Sequence, residues 1–116
     1  MADVTIYHNP RCSKSRQTLQ LLRDRGVEPV VVEYLADPPD LPTLKRIVRM
    51  LGLRPIDLAR RKEDPFKTLG LADKADDDDA VLRAMVAHPI LIERPIVVKG
   101  GKAALGRPPE NVLGVL

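Results

Sequence analysis

Within its first 34 residues the chain spells a strand, a helix and a second strand, and that order leaves little choice of architecture. Val4-Thr5-Ile6-Tyr7 is a β-branched and aromatic run that reads as a strand over residues 3–8. Asn9-Pro10-Arg11 breaks it. From Ser13 to Arg25 the composition is helical, with Leu19 and Leu22 one turn apart, Gly26 suited to the position after the last turn, and Pro29 shortly beyond. Val30-Val31-Val32-Glu33-Tyr34 is the second strand. A crossover through a helix sets the two strands parallel in one sheet. Tyr7, Tyr34 and Phe66 are the whole aromatic set, so the core is built from Leu, Ile and Val, a composition that suits a sheet covered by helices.

Beyond the rigid loop Ala36–Asp40, the residues Leu44, Ile47, Val48 and Leu51 fall on one helical face that stops at Gly52. Pro55 opens a further short helix through Ile56 and Leu58 towards Arg61, and Pro65 begins another piece ending near Gly70. Asp76 to Asp79 then precede Val81, Leu82, Met85 and Val86 on one face, the carboxylates opposing the positive end of that helix. Residues of about 40–88 therefore read as a helical block. Sheet signals return at Pro89. Ile96-Val97-Val98 and Lys102–Leu105 flank the turn Gly100-Gly101 as a hairpin, and Pro108-Pro109 set up a last short helix with Val112, Leu113 and Leu116.

The expected fold class is α/β: one domain, 1–116, with a mixed four-stranded sheet in the order β-α-β, helical insertion, β-β-α. This order resembles a thioredoxin-like domain with helices added in its middle.

The single cysteine excludes an internal disulfide and fits a reducing, cytoplasmic setting. No stretch approaches the ~18 consecutive apolar residues of a membrane span, and no secretory leader precedes the first strand. A net charge of +3 with almost no stacking aromatics argues for a small anion rather than nucleic acid as the partner. With no long heptad or apolar stripe, the chain reads as a monomer.

Cys12 falls where the first strand passes into the first helix. A sulfur placed there meets the helix's free N–H groups and its positive pole, a setting that favours the thiolate and also holds a tetrahedral oxyanion. Arg11, Lys14 and Arg16 add positive charge. The bland alternative, a small buried hydrophobe, is opposed by these polar and basic neighbours. Ser15 stands where a dithiol motif would carry its second Cys, so an oxidised Cys12 must be resolved by an outside thiol. Ser15 itself reads as a first-turn hydroxyl that supports the helix or a bound anion. His8, four residues before Cys12, is expected to supply an imidazolium beside the thiolate, whereas His88 reads as structural. Asp76–Asp79 form no metal site, because consecutive helical residues point in different directions.

Tyr7-His8-Asn9-Pro10-x-Cys12 and His88-Pro89-Ile90-Leu91-Ile92-x-Arg94-Pro95-Ile96-Val97-Val98, together with Arg60-Arg61-Lys62 and Gly106-Arg107-Pro108, resemble the glutaredoxin-linked arsenate reductases, and in length a short subgroup of them. The resemblance implies Cys12 as nucleophile towards arsenate or a similar oxyanion, with Arg60, Arg94 and Arg107 holding that anion. It implies glutathione as co-substrate, glutaredoxin as partner, no bound cofactor and no metal. It also implies a cis Arg94-Pro95 peptide beside the nucleophile and an electrostatic role for His8. Arg forks match tetrahedral oxyanions and stay charged throughout the relevant pH range. On residues alone, Arg60 reads as part of a solvated basic run, whereas Arg94 and Arg107 stand on loops, where functional residues concentrate. The competing readings are a glutaredoxin-like oxidoreductase acting on mixed disulfides, a regulator that binds RNA polymerase, and a binding domain without chemistry.

Overall fold

The computed structural model describes residues 4–116. They fall into two compact units, one formed by the residues up to Asp37 together with Arg94–Leu116, the other by Pro38–Glu93.

The first unit holds strand β1 (Val4–His8), helix α1 (Ser13–Asp24), strand β2 (Val30–Glu33), strands β3 (Ile96–Lys99) and β4 (Lys102–Leu105), and a closing 3-10 helix over Pro109–Val115. Asp3, the expected first residue of β1, lies outside the described residues. The sheet order is β2-β1-β3-β4, with β1 parallel to β2 and antiparallel to β3, and β3 antiparallel to β4. This is the mixed four-stranded sheet read from the sequence. Ile6 lies opposite Val97, and Val97 opposite Ala104, in a row across the sheet. Against that row pack Leu19 and Leu22 of α1 and Val112 and Val115 of the closing helix. Burying a side chain such as Leu22 fully is worth ~1.5–3 kcal/mol, so α1 is fixed to the sheet by its apolar face. Gly26 takes φ 77°, the left-handed conformation that ends α1 and turns the chain into β2.

Register decides which loops meet. Tyr7 of β1 pairs with Ile96 of β3, and Ile96 pairs with Leu105 of β4. The chain leaving β1 towards Cys12, the Arg94-Pro95 segment entering β3 and the Gly106-Arg107 segment leaving β4 therefore share one end of the sheet.

The second unit is helical: α2 (Leu41–Leu51), α3 (Pro55–Leu58), α4 (Asp64–Thr68), a 3-10 turn at Leu71–Lys74, α5 (Asp78–Ala87) and a 3-10 turn at Pro89–Leu91. α2 and α5 pack together, with Leu44, Ile47, Val81 and Met85 all buried. Two expectations change here. The segment after Pro89 is a 3-10 turn rather than the start of a strand, and β3 begins only at Ile96. The helix opened by Pro55 stops at Leu58, because Ala59 is drawn into a β-bridge with Ile92. Among the described residues no helix is long and apolar enough to cross a membrane.

Candidate active site

The turn between β1 and α1 is built by Asn9. Its side-chain oxygen accepts from the Arg11 N–H at 3.0 Å, and its carbonyl accepts from the Cys12 N–H at 3.0 Å. Such Asx turns are what Asn-Pro favours after a strand. In the sequence Asn9 reads only as a strand break, although the Asn-Pro dipeptide carries the turn signal. The Arg16 guanidinium donates to the Pro10 carbonyl at 2.9 Å and braces the turn from outside.

Cys12 is the N-cap of α1 with extended backbone (φ −95°, ψ 124°), and its side chain makes no capping hydrogen bond. It is half-buried. Its carbonyl receives the first intrahelical bond, from Arg16 N–H at 3.0 Å. The N–H groups of Ser13, Lys14 and Ser15 precede that bond and have no carbonyl within the helix. No acidic residue stands in the first turn. The sulfur thus sits at an open, positive helix end.

Ser15 is fully buried beneath that end. Its hydroxyl oxygen accepts from the Asn9 N–H at 3.0 Å and lies 2.6 Å from His8 Nδ1. The hydroxyl's work is therefore inward, tying the first turn of α1 to the end of β1. Burial lowers the pKa of His8 below the ordinary 6.5, Glu33 opposes the shift, and Arg23 and Arg16 reinforce it. The shift disfavours an imidazolium there, and the partner the structure gives the ring is the Ser15 hydroxyl. A cleft of about 240 Å³ opens beside His8, between the Asn9–Arg11 turn and Glu33–Ala36.

The Arg94-Pro95 peptide is cis, as the resemblance implies, and Arg107-Pro108 is cis as well. Pro95 is buried, and so are the Nε and one Nη atom of Arg94. Arg107 is exposed and donates to the Arg94 carbonyl at 3.4 Å, while Asn111 holds the Arg107 carbonyl at 3.1 Å. The fold thus brings Cys12, Arg94 and Arg107 to one end of one sheet.

Arg60 belongs to the second unit. Its backbone N–H donates to the Leu91 carbonyl at 2.8 Å, and its guanidinium meets Glu63 at 3.4 Å and Glu93 at 3.8 Å. Its side chain is only 20% exposed, and Nη1 is buried without a hydrogen bond. The basic run is thus divided: Arg60 turns inward, and the guanidinium of Arg61 lies 5.4 Å from the Phe66 ring centre. His88 closes α5, its N–H donating to the Ala84 carbonyl at 2.8 Å.

Comparison with known proteins adds the family context. A family model described as the ArsC family matches residues 7–115. The chain is 53% identical over 117 residues to an arsenate reductase of Neisseria meningitidis serogroup A, covering 100% of both chains. It is 54% identical over 114 residues to an uncharacterized protein of Escherichia coli K12, YfgD, covering 97% of this chain and 96% of that one. A solved arsenate reductase from Vibrio cholerae superposes with a TM-score of 0.93 at 52% identity, covering 97% of each chain.

Proposed function

Because this chain belongs to the ArsC family, we propose that it is an arsenate reductase whose nucleophile is Cys12 and whose oxidised sulfur is resolved by glutathione and glutaredoxin. The observation that carries the reading is the open N-terminus of α1, with Cys12 as an uncapped N-cap, no acid in the first turn, and two arginines at the same end of the sheet.

The chemistry follows from those groups. The Cys12 thiolate attacks arsenic(V), an S–As bond forms, and one arsenic-bound oxygen leaves as water after protonation. The N–H groups of Ser13, Lys14 and Ser15 and the guanidinium groups of Arg94 and Arg107 neutralise the oxyanion during this step. Arg60 is the third member of that set in this reading, resting on the motif resemblance. A glutathione thiolate then attacks the Cys12 sulfur. The S–As bond breaks, its electron pair stays on arsenic, and arsenite departs. The two sulfurs lose the two electrons that arsenic gains and remain as a mixed disulfide. A glutaredoxin thiol attacks the glutathione sulfur and returns Cys12 as thiolate. An outside thiol is required because Cys12 is the chain's only cysteine. A lone cysteine suits the reducing cytoplasm, and the reading takes the chain as a monomer with no bound cofactor or metal.

The test is arsenate-dependent NADPH oxidation in the presence of glutathione, glutaredoxin and glutathione reductase, comparing wild type with Cys12→Ser. Turnover in wild type that disappears in the variant is the expected result. Absence of turnover in wild type, with Cys12 still reactive to iodoacetamide, would overturn arsenate as the substrate.

A further inference from the structure

Of the seven glycines, Gly106 is the one whose lack of a side chain is demanded by space. Its φ is ordinary, so backbone conformation does not require glycine there. A Cβ on it would lie 2.5 Å from Thr18 Oγ1, 2.7 Å from Pro95 Cγ and 3.0 Å from Thr18 Cγ2. The other six glycines would meet nothing within 4 Å. Neither neighbour has much room to yield. Thr18 is fully buried in α1, its hydroxyl donating to the Lys14 carbonyl at 2.8 Å and lying 3.4 Å from the Gly106 carbonyl. Pro95 is a buried ring, and its carbonyl accepts from the Gly106 N–H at 2.9 Å.

Three segments are therefore closed on one another at contact distance: the helix that begins at Cys12, the loop that carries Arg94, and the loop that carries Arg107. We infer that Thr18, Pro95 and Gly106 form a positioning clamp that sets both arginines in register with the N-terminus of α1, and that this register governs oxyanion affinity. The inference rests on the proposed role of Arg94 and Arg107 in anion binding. Ordinary contact with a Cβ begins near 3.4 Å, so any side chain at Gly106 pushes its loop away from Thr18 by about 0.9 Å. Displacements near 1 Å in positioning groups cost on the order of 10²-fold in catalysis. The helix N-terminus, pinned separately by His8, Asn9 and Ser15, stays as it is.

The experiment compares wild type, Gly106→Ala, Gly106→Ala with Thr18→Ala, and Gly114→Ala as the same change in open space. Gly106→Ala is expected to raise KM for arsenate by roughly 10- to 100-fold, while iodoacetamide alkylation of Cys12 without arsenate keeps its wild-type rate. Removing both γ atoms of Thr18 in the double variant relieves two of the three contacts but leaves that with Pro95 Cγ at 2.7 Å, so KM falls back part of the way, and Gly114→Ala behaves as wild type. A wild-type KM in Gly106→Ala overturns the clamp. So does a double variant no better than the single one, or a loss confined to thermal stability and kcat. A substrate-free readout separates this from the function itself: solvent exchange of amide 106 and the Arg94 and Arg107 Nε–H resonances. If wild type does not reduce arsenate, the proposed function falls. The clamp then stands only if those signals shift in Gly106→Ala and move back towards wild type in the double variant, and it falls if they do not move.

Discussion

Helices α1 and α5 begin in opposite ways. α5 starts at Asp77, whose carboxylate accepts from the Ala80 N–H at 3.1 Å, and carries Asp78 and Asp79 in its first turn. α2 follows the same plan with Asp40, which accepts from Thr43 N–H at 2.9 Å. α1 starts at Cys12 with no capping bond and no acid. In α2 and α5 the helix's own carboxylate satisfies a free N–H group and opposes the positive pole, which leaves little for an outside anion. α1 leaves both unsatisfied and puts there the cysteine that is the nucleophile of the proposed reaction. Its stability comes instead from beneath, through the buried His8–Ser15–Asn9 hydrogen bonds and the apolar face against the sheet. In the proposed reading, the anion-binding helix end is marked by what it omits as much as by what it holds.

The strongest way to break this contrast is to make α1 begin as α5 does. Cys12→Asp supplies a carboxylate N-cap on an extended backbone that already suits one. Arsenate reduction should fall to background, because the nucleophile is gone and the new carboxylate occupies the anion's place. Stability should rise by about 1 kcal/mol over the uncapped wild type, read from chemical denaturation. A variant that is inactive yet no more stable would show that the end of α1 is not open to a cap.

A smaller effect separates the two kinds of anchoring by pH. The pKa of His8 is lowered in the folded protein, chiefly by burial. Between the folded value and the unfolded 6.5 the unfolded chain binds more protons, so stability rises with pH there. The contribution of His8 is fully present above pH 6.5 and is lost as pH falls through that value towards the folded pKa. Denaturation midpoints of wild type should therefore drop on acidification through this window, and His8→Gln should flatten the slope. Equal slopes would mean that His8 is not the buried neutral anchor of α1.

Much of the first unit was legible in the sequence because its signals are local. The β-branched runs, Gly26 after α1 and the Gly100-Gly101 turn each mark their element without help from elsewhere. The position of Cys12 was equally legible, since a strand break followed by a helical composition fixes where α1 begins. What local signals could not supply was burial. His8 reads as a charged neighbour until the fold desolvates it. Arg60 and Arg61 are indistinguishable in a basic run until Glu63 and Glu93 draw one inward and Phe66 takes the other. Thr18 and Gly106 stand 88 residues apart, and neither says alone that the other touches it. The segment after Pro89 reads as strand in the sequence because its apolar residues fill a 3-10 turn as well as a strand.

The mildest test removes the cap from the helix that has one. Asp77→Ala deprives the Ala80 N–H of its acceptor and removes a carboxylate from the positive end of α5. The expected cost is about 1 kcal/mol, a fall in Tm of about 4 °C for a chain of this size. Asp78 and Asp79 remain to oppose the pole, and Arg54 and Arg83 still engage them at 2.8 Å, so the loss should not exceed that of a single cap. Iodoacetamide alkylation of Cys12 should proceed at the wild-type rate, because α1 is held by bonds that do not involve Asp77. A slower alkylation with the same loss of Tm would show that the two helix starts are coupled, and the division between a structural cap and a chemical one would have to be redrawn.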